Sequence, residues 1–193
     1  SLYDGGCTWV GDIGVTPDLF LGFGGNLGDV RQHFGFALRA LADSSHFSMS
    51  KVSSAYRTPA LTKAGISHEI PNYWNIVAMF SSDLELDAVL GFVKGLESSC
   101  GRESTRERWT SRPLDIDLLA WGQNRLESEN LSLPHPRCLE RDFVLAPWAE
   151  IQPNFVIPAE TNYSVKEHWA RLQRSPGSLS PILEIDEAWM NLE

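Results

Sequence analysis

The sequence predicts an α+β fold in which helices pack on one face of an antiparallel sheet. Two stretches of the chain place apolar residues three and four positions apart, which is the spacing of an amphipathic helix. The stretches between them are short and rich in aromatic and β-branched residues, which is typical of strands. Their order is strand, helix, strand, strand, helix, strand, and this βαββαβ order indicates the ferredoxin-like or split βαβ arrangement.

The first strand and the first helix are predicted at the start of the domain. The apolar run DLFLGFGGN begins at Asp18 and is stopped by glycines, which predicts a buried strand that ends in a tight turn. In DVRQHFGFALRALADSS, Asp29 suits the positive N-terminal end of a helix. The apolar stripe of that helix consists of Val30, Phe34, Ala37, Leu38 and Leu41. Such a stripe needs a sheet to cover.

Two strands and the second helix follow. FSMSKVSSAYRTP (47–59) alternates at first and ends at a proline, which predicts a second strand that runs into a fixed turn, followed by a loop to residue 71. NYWNIVAMFSS (72–82) is rich in aromatic and β-branched residues and predicts a third strand. The helix predicted over 83–101 has Asp83 as its cap and Gly101 as its stop. Its apolar face is Leu86, Val89, Leu90, Val93 and Leu96.

Composition and charge favour a soluble, cytoplasmic protein of one domain. The 193 residues match one ordinary domain, and no apolar run approaches the 18 to 20 residues, roughly, that span a bilayer. The net charge of −9 disfavours nonspecific attraction to nucleic acid or to an anionic membrane. Three cysteines without a CxxC pair argue against a disulfide framework and against a zinc knuckle. Residues 1–17 are Gly-rich without a period and are predicted to be an N-terminal extension.

The last predicted strand, in RPLDIDLLAWG (112–122), carries two carboxylates inside an apolar run. Side chains alternate along a strand, so Asp115 and Asp117 share one face and are expected to need a cation between or beside them. Four arginines crowd the segment 102–113, and they face only two glutamates. Arginine forks match phosphate oxygens, and a pair of hard oxygen ligands suits Mg²⁺ completed by substrate phosphates. The alternative is that both aspartates line the wet face of a half-exposed strand, paired with Arg112 and Arg108.

The run RWTSRPLDIDLL (108–119) closely resembles the signature of the 6-hydroxymethyl-7,8-dihydropterin pyrophosphokinase family of folate biosynthesis. Further blocks resemble the family in the family's order, and together they extend over about residues 18–158, which leaves 159–193 as a C-terminal extension. These blocks are FGGNLGD (23–29), SSAYRTPAL (53–61), PNYWNIVA (71–78), LESSCGR (96–102) and LSLPHPRCLERDFVLAPW (131–148).

The resemblance implies a reaction and a set of site residues. Asp115 and Asp117 would hold two Mg²⁺ ions that bridge the phosphates of ATP, while Arg102 and Arg112 neutralise charge as the pterin hydroxyl attacks the β-phosphorus and AMP leaves. The residues implied to bind ATP are Glu97, Arg108, Trp109, Ser132, His135 and Arg141. The residues implied to bind the pterin are Thr58, Pro59, Leu61, Tyr73, Asn75 and Phe143. The substrates ATP and 6-hydroxymethyl-7,8-dihydropterin are then the expected partners, with adjacent folate-pathway enzymes and without nucleic acid or membrane.

Each residue considered alone also has a structural explanation. A strand asparagine such as Asn75 more often makes a local bond, Tyr73 and Phe143 alone would be core aromatics, and the PHP run around His135 more often shapes a turn. GGNLG lacks the GxGxxG and Walker patterns, so we expect it to form a turn beneath the site. Two functions of other classes remain open at this point, a nucleic-acid-binding ferredoxin-like module and a metal-dependent nuclease.

Overall fold

The computed structural model describes residues 16–62, 65–101, 111–159, 161–175 and 182–191. The strands are β1 (Leu19–Gly25), β2 (Phe47–Val52), β3 (Ala55–Thr58), β4 (Ala60–Thr62), β5 (Gly65–Ser67), β6 (Tyr73–Ser82), β7 (Asp115–Trp121), β8 (Leu126–Glu127), β9 (Ser132–Leu133) and β10 (Glu184–Asp186). The α-helices are α1 (Val30–Asp43), α2 (Leu86–Ser99), α3 (Asp142–Ile151) and α4 (Val165–Gln173), and single 3-10 turns lie at Cys138–Glu140 and Trp189–Asn191.

The main sheet has six strands in the order β10, β3, β6, β1, β7, with β2 also paired to β6, and its strand pairs are antiparallel. The predicted strand over 47–59 is broken into β2 and β3, which both pair with β6. The break falls at Ser53 and Ser54, where the Ser53 hydroxyl accepts the Val77 N–H at 3.0 Å. The prediction of a mixed α/β fold built on an antiparallel sheet is confirmed.

Helices cover both faces of the sheet. On one face, α1 and α2 bury the predicted apolar stripes against residues such as Leu21, Phe23 and Ile76. On the other face, α3 and α4 bury Trp148 and Val165 against Phe20 and other residues of the central strands. The expectation that helices pack on one face is therefore correct for α1 and α2 and wrong for the molecule as a whole.

The sequence prediction lacks helix α3, the short strands β4, β5, β8, β9 and β10, and the two 3-10 turns. Helix α3 contains Pro147 in its interior, and such a proline normally ends or kinks a helix, so the helical spacing of Val144, Trp148 and Ile151 does not predict one. The segment predicted as a loop after Pro59 contains the small hairpin of β4 and β5. A hairpin this short has too little apolar alternation to be recognised.

The C-terminal residues add to both layers of the fold. Helix α4 begins in a capping box, in which the Ser164 N–H donates to the Glu167 carboxylate at 2.7 Å. Strand β10 pairs with β3 at the edge of the main sheet. Within the described ranges, no helix is both long enough and apolar enough to cross a membrane.

Candidate active site

The two aspartates lie on one face of β7, as the alternation predicts. Ile116 and Leu118 are buried on the α1 and α2 side of the sheet, while the side chains of Asp115 and Asp117 keep 30% and 34% of their exposure on the opposite side. Both carboxylates are therefore partly open to solvent on this face of the sheet. The same face carries α3 and α4 further along the sheet.

Cationic side chains contact both carboxylates. Arg112 Nη1 donates to Asp115 Oδ2 at 2.9 Å, and Arg141 Nη1 donates to Asp117 Oδ2 at 3.4 Å. His135 Nε2 lies 3.8 Å from the same oxygen of Asp117. The expected cations are thus present as Arg112 and Arg141, with the imidazole of His135 beside Asp117. This arrangement places negative and positive charge side by side on this face of the sheet, which suits a polyphosphate with bound cations.

The turn after β1 holds Arg112 in place. The Asn26 and Leu27 N–H groups donate to the Arg112 carbonyl at 2.9 and 3.2 Å, and the Arg112 N–H donates back to Asn26 Oδ1 at 2.8 Å. The backbones approach so closely that a Cβ on Gly25 would lie 2.5 Å from the Pro113 carbonyl oxygen. The turn predicted from GGNLG therefore anchors the backbone of Arg112.

A glycine of β1 separates the aspartates from the predicted pterin residues. Gly24 is the register partner of Asn75 on β6 and of Asp115 on β7. A Cβ at Gly24 would lie 3.2 Å from Asn75 Oδ1, so this face of β1 is a flat floor between the two side chains. A planar ligand can reach both the amide and the carboxylate across this floor.

Four of the residues predicted to bind the pterin meet on the same face. Asn75 is buried, and its Nδ2 donates to Thr58 Oγ1 at 3.4 Å, while Pro59 is buried beside Thr58. The pKa of Tyr73 is raised mainly by burial, with Arg112 lowering it and Asp115 raising it, so its phenol lies within electrostatic reach of the carboxylate end of the site. The structure thus brings these residues close together, and their role in binding a pterin stays a prediction.

Phe143 and Leu61 occupy other positions. Phe143 lies in the first turn of α3, and the guanidinium carbon of Arg141 lies 5.6 Å from its ring centroid. Phe143 is therefore linked to Asp117 through Arg141. Leu61 lies in β4 opposite Ile66 of β5, but its side chain is outside the described part of the structure.

His135 is oriented by its neighbours. The Arg137 N–H donates to His135 Nδ1 at 3.1 Å, so the neutral ring carries its proton on Nε2, the atom that faces Asp117. Burial lowers the pKa of His135, and Asp117 opposes that shift. The imidazole is thus a neutral donor on the side of Asp117. The peptide N–H of His135 donates to the Leu119 carbonyl at 2.8 Å, which attaches the PHP turn to β7.

Glu97 is placed differently from the other predicted nucleotide residues. It lies on α2, on the far side of the sheet, and it is 1% exposed. Its Oε1 accepts the N–H of Ile116 at 2.7 Å, and Lys94 Nζ lies 3.0 Å from its other oxygen. Burial raises the pKa of Glu97. The carboxylate therefore holds the N–H of Ile116, the residue between the two aspartates, and is buried instead of solvent-exposed as they are.

The remaining predicted residues are at the periphery or outside the described part. Ser132 is half-buried on β9, where it pairs with Glu127 of β8. Arg102, Arg108 and Trp109 lie in the segment 102–110, which is outside the described residues. Within the described ranges, no group of three or more His, Cys, Asp or Glu side chains could hold a metal ion by itself. Two half-exposed carboxylates fit Mg²⁺, which keeps several waters and completes its shell with substrate phosphates.

Two site residues escaped the sequence prediction. Gly24 supplies the flat floor, and its signal was the alternation of Gly22 and Gly24 with Leu21 and Phe23, since glycine inside a strand often marks the close approach of another group. Asn26 anchors the loop of Arg112 through its side chain, and it is a buried polar residue at 5% exposure. An asparagine that follows two glycines does not by itself predict such an anchoring contact.

Comparison with known proteins gives one consistent result. Residues 20–153 match the family model described as 7,8-dihydro-6-hydroxymethylpterin-pyrophosphokinase (HPPK). A 2-amino-4-hydroxy-6-hydroxymethyldihydropteridine pyrophosphokinase of Methylorubrum extorquens is 35% identical over 158 residues, which is 81% of this chain and 94% of the relative. The protein of the same name from a Synechocystis strain is 34% identical over 138 residues, 72% of this chain and 68% of the relative.

A solved structure has the same fold. The crystal structure of wild-type Plasmodium falciparum HPPK-DHPS superposes with a TM-score of 0.61 over 81% of this chain, at 12% sequence identity. This chain spans 41% of the length of that one. At this identity the likeness concerns the fold alone.

Proposed function

This chain belongs to the 7,8-dihydro-6-hydroxymethylpterin-pyrophosphokinase family, and we propose that it transfers pyrophosphate from ATP to the hydroxymethyl group of 6-hydroxymethyl-7,8-dihydropterin. The products are AMP and the pterin diphosphate, and the reaction is a step of folate biosynthesis. The observation that carries the proposal is the row formed by Asn75, Gly24 and Asp115 across three strands, because it joins an amide suited to a pterin with a carboxylate suited to metal-bound phosphate.

The aspartates are the proposed magnesium ligands. Asp115 and Asp117 share one face of β7, are half-exposed, and are each balanced by an arginine, so the site can accept a cation without a buried uncompensated charge. Mg²⁺ bound there with ATP would neutralise phosphate charge and favour the in-line transfer of the pyrophosphoryl group. Two ions are expected from the family resemblance.

The cationic residues supply the rest of the phosphate site. Arg112 and Arg141 can pair with phosphate oxygens when these come to the aspartates, since guanidinium forks match such oxygens. The Nε2 proton of His135 can be donated to a phosphate oxygen. On the basis of the resemblance alone, Arg102 remains a proposed catalytic residue that neutralises charge during the transfer. On the same basis, the remaining proposed ATP-binding residues are Arg108, Trp109 and Ser132. Glu97 is proposed to act on the nucleotide site by holding the peptide of Ile116.

The pterin is proposed to lie on the floor of Gly24. Asn75 can exchange its contact with Thr58 for the amino-pyrimidinone edge of the pterin, which offers matching donors and acceptors. Tyr73 and Phe143 are the proposed stacking partners of the bicyclic ring, each worth about 0.5 to 1.5 kcal/mol beyond area burial. Pro59 and Leu61 complete this half of the site. The attacking hydroxymethyl group then points toward the aspartate end.

Other sequence predictions stand as proposals of the same kind. We infer that the βαββαβ part is ferredoxin-like, that the catalytic domain extends over 18–158 with an N-terminal extension (1–17) and a C-terminal extension (159–193), and that adjacent folate-pathway enzymes are partners. The last inference is supported by the HPPK-DHPS name of the structural neighbour.

The decisive experiment is product analysis by mass spectrometry after incubation with ATP, Mg²⁺ and the hydroxymethyl pterin. The expected products are AMP and diphosphorylated pterin in equal amounts. ADP with a monophosphorylated pterin, or no nucleotide turnover at all, would refute the proposal.

A matched variant tests the role of the acidic pair in the same assay. Asp117→Asn keeps the shape of the side chain and should abolish AMP formation, because the amide is a poor magnesium ligand. Its melting temperature should stay near that of the wild type, since the lost contact with Arg141 is long and half-exposed. Wild-type turnover in Asp117→Asn would exclude this carboxylate from the site.

A further inference from the structure

The C-terminal strap, defined as residues 182–191, lies outside the family match over 20–153 but is built into the main sheet. Strand β10 pairs with β3 so that Ile185 is the register partner of Tyr56. The Leu183 N–H donates to the Arg57 carbonyl at 2.8 Å, which brings the strap to the residue before Thr58. The strap therefore adjoins the strand that ends in the proposed pterin site.

Two acids of the strap hold two arginines against one tryptophan. Asp186 Oδ2 lies 2.9 Å from Arg31 Nη1, and Glu184 Oε2 lies 2.7 Å from Arg57 Nη2. The guanidinium carbons of Arg31 and Arg57 each lie 5.8 Å from the ring centroid of Trp74. Trp74 is thus contacted by two cations whose positions depend on the strap.

Trp74 sits directly behind the pterin half of the site. It lies between Tyr73 and Asn75 in β6, and because side chains alternate it projects to the opposite face of the sheet. Trp74 shares its two peptide bonds with Tyr73 and Asn75, so a displacement of its backbone would move both neighbours. The strap thereby contacts this part of the site from the rear.

Trp189 fixes the other end of the strap. Its side chain is 2% exposed, its Nε1 donates to the Ser53 carbonyl at 3.0 Å, and its ring meets the edge of Phe34 on α1 at a centroid distance of 5.9 Å. Ser53 lies at the break between β2 and β3. The strap therefore joins α1 to the start of β3, the strand that presents Thr58.

We propose that the C-terminal strap is a positioning element for the pterin half of the active site, acting through Arg57 on β3 and through Trp74 on β6. This inference rests on the proposed function for the identity of the ligand. The strap touches neither substrate. It sets the positions of Thr58, Tyr73 and Asn75 and leaves the aspartates on β7, two strands away from β6, unaffected.

The test compares the binding of the two ligands in full-length variants. Glu184→Lys combined with Asp186→Lys places like charges beside Arg57 and Arg31. The dissociation constant of the pterin, measured with Mg²⁺ and a saturating non-hydrolysable ATP analogue, should rise about tenfold, the effect of losing two ion pairs of about 0.5 to 1 kcal/mol each. The dissociation constant of the analogue alone should change less than about twofold.

The matched control is Asp43→Lys combined with Asp83→Lys. It makes the same change in net charge away from the strap. Asp43 is exposed at the C-terminal end of α1, and Asp83 follows β6 at the end opposite to Tyr73. The change at Asp83 breaks only its surface pair with His46. Both ligands should bind to the control as to the wild type. A second strap variant, Trp189→Phe, keeps the buried ring, loses the N–H donor to Ser53, and should weaken pterin binding about threefold. If the double lysine variant does not fold, Trp189→Phe tests the positioning role of the strap in its place.

The outcomes separate the strap from the proposed function. Pterin binding equal to that of the control, or equal weakening of both ligands, would overturn the positioning role. A wild type that binds no pterin would instead refute the proposed function. Hydrogen exchange would then test the strap without ligand, because residues 55–58 and 73–75 should exchange faster in the strap variants than in the control.

Discussion

At the scale of single residues, Arg112 combines a structural contact with a chemical one. Its main chain is bonded to Asn26, while its guanidinium pairs with Asp115. Truncation to alanine leaves the main-chain bonds in place and removes only the charge. Arg112→Ala is therefore expected to lower kcat by about 10² to 10³-fold, the usual effect of losing one preorganised charge-stabilising donor.

The measurement for Arg112 is steady-state AMP release, with Arg39→Ala as the control because Arg39 is exposed on α1. Arg112→Lys should recover part of the rate, because lysine keeps the charge but lacks the planar fork. An unchanged kcat in Arg112→Ala would remove this residue from catalysis.

Gly24 is the residue at which the shape of the site is most sensitive. A Cβ there would lie 3.2 Å from Asn75 Oδ1, so Gly24→Ala should displace the amide and weaken pterin binding about tenfold, while binding of the ATP analogue stays the same. Gly91→Ala is the matched control, since nothing lies within 4 Å of a Cβ at that position in α2. That control should be more stable by about 0.5 to 1 kcal/mol, as expected for Gly to Ala inside a helix.

At the scale of elements, α4 links stability to pH through His168. The side chain is 9% exposed, its ring meets the edge of Tyr163 at 5.6 Å, and burial followed by Arg171 lowers its pKa. Above the pKa of about 6.5 that a free histidine has, the ring is neutral in both folded and unfolded chains. Below that pH the unfolded chain takes up the proton first, so the free energy of unfolding must fall as the pH falls.

The corresponding experiment is thermal unfolding between pH 7 and pH 5. Over this range the melting temperature of the wild type should fall further than that of His168→Gln. In a domain of this size, each kcal/mol lost from the free energy of unfolding lowers the melting temperature by about 2 to 4 °C. His46→Gln controls for a histidine at an exposed position. If the melting temperatures of the wild type and of His168→Gln fell equally with pH, protonation of His168 would not be what couples stability to pH.

Elements were predictable where a local period was complete. The stripe of α1, from Val30 to Leu41, and the alternation of β7 have such periods, and both elements form as expected. The local sequence does not predict helix α3, because Pro147 and the neighbouring prolines are unfavourable for a helix. Burial of Trp148 on Phe20, at a centroid distance of 5.1 Å, outweighs that local preference.

At the scale of the whole molecule, the site depends on register and on long-range contacts. The position of Asp115 and Asp117 on one face of β7 follows from the alternation of side chains within one strand and could be predicted. The row from Asn75 through Gly24 to Asp115 requires the register of three strands, and the anchor from Asn26 to Arg112 spans 86 positions in the chain. Glu97 shows the limit most clearly, since a motif position says nothing about which face of the sheet a helix covers.

The charge of the whole molecule distinguishes the proposed enzyme from a nucleic-acid-binding module or a nuclease. The net charge is −9, while the cations described at the site are Arg112 and Arg141, and both are paired with aspartates. Binding to a polyanion requires a row of unpaired basic side chains that releases counterions, whereas a nucleotide triphosphate needs only a local site.

At about 0.15 M salt, a labelled RNA or DNA oligonucleotide should therefore show no change in fluorescence anisotropy when the protein is added, while an ATP analogue with Mg²⁺ should raise the melting temperature of the protein. Asp117→Asn should lose the effect of the analogue. Oligonucleotide binding at that salt, or cleavage of a plasmid without the pterin, would favour the nucleic-acid functions over the pyrophosphokinase.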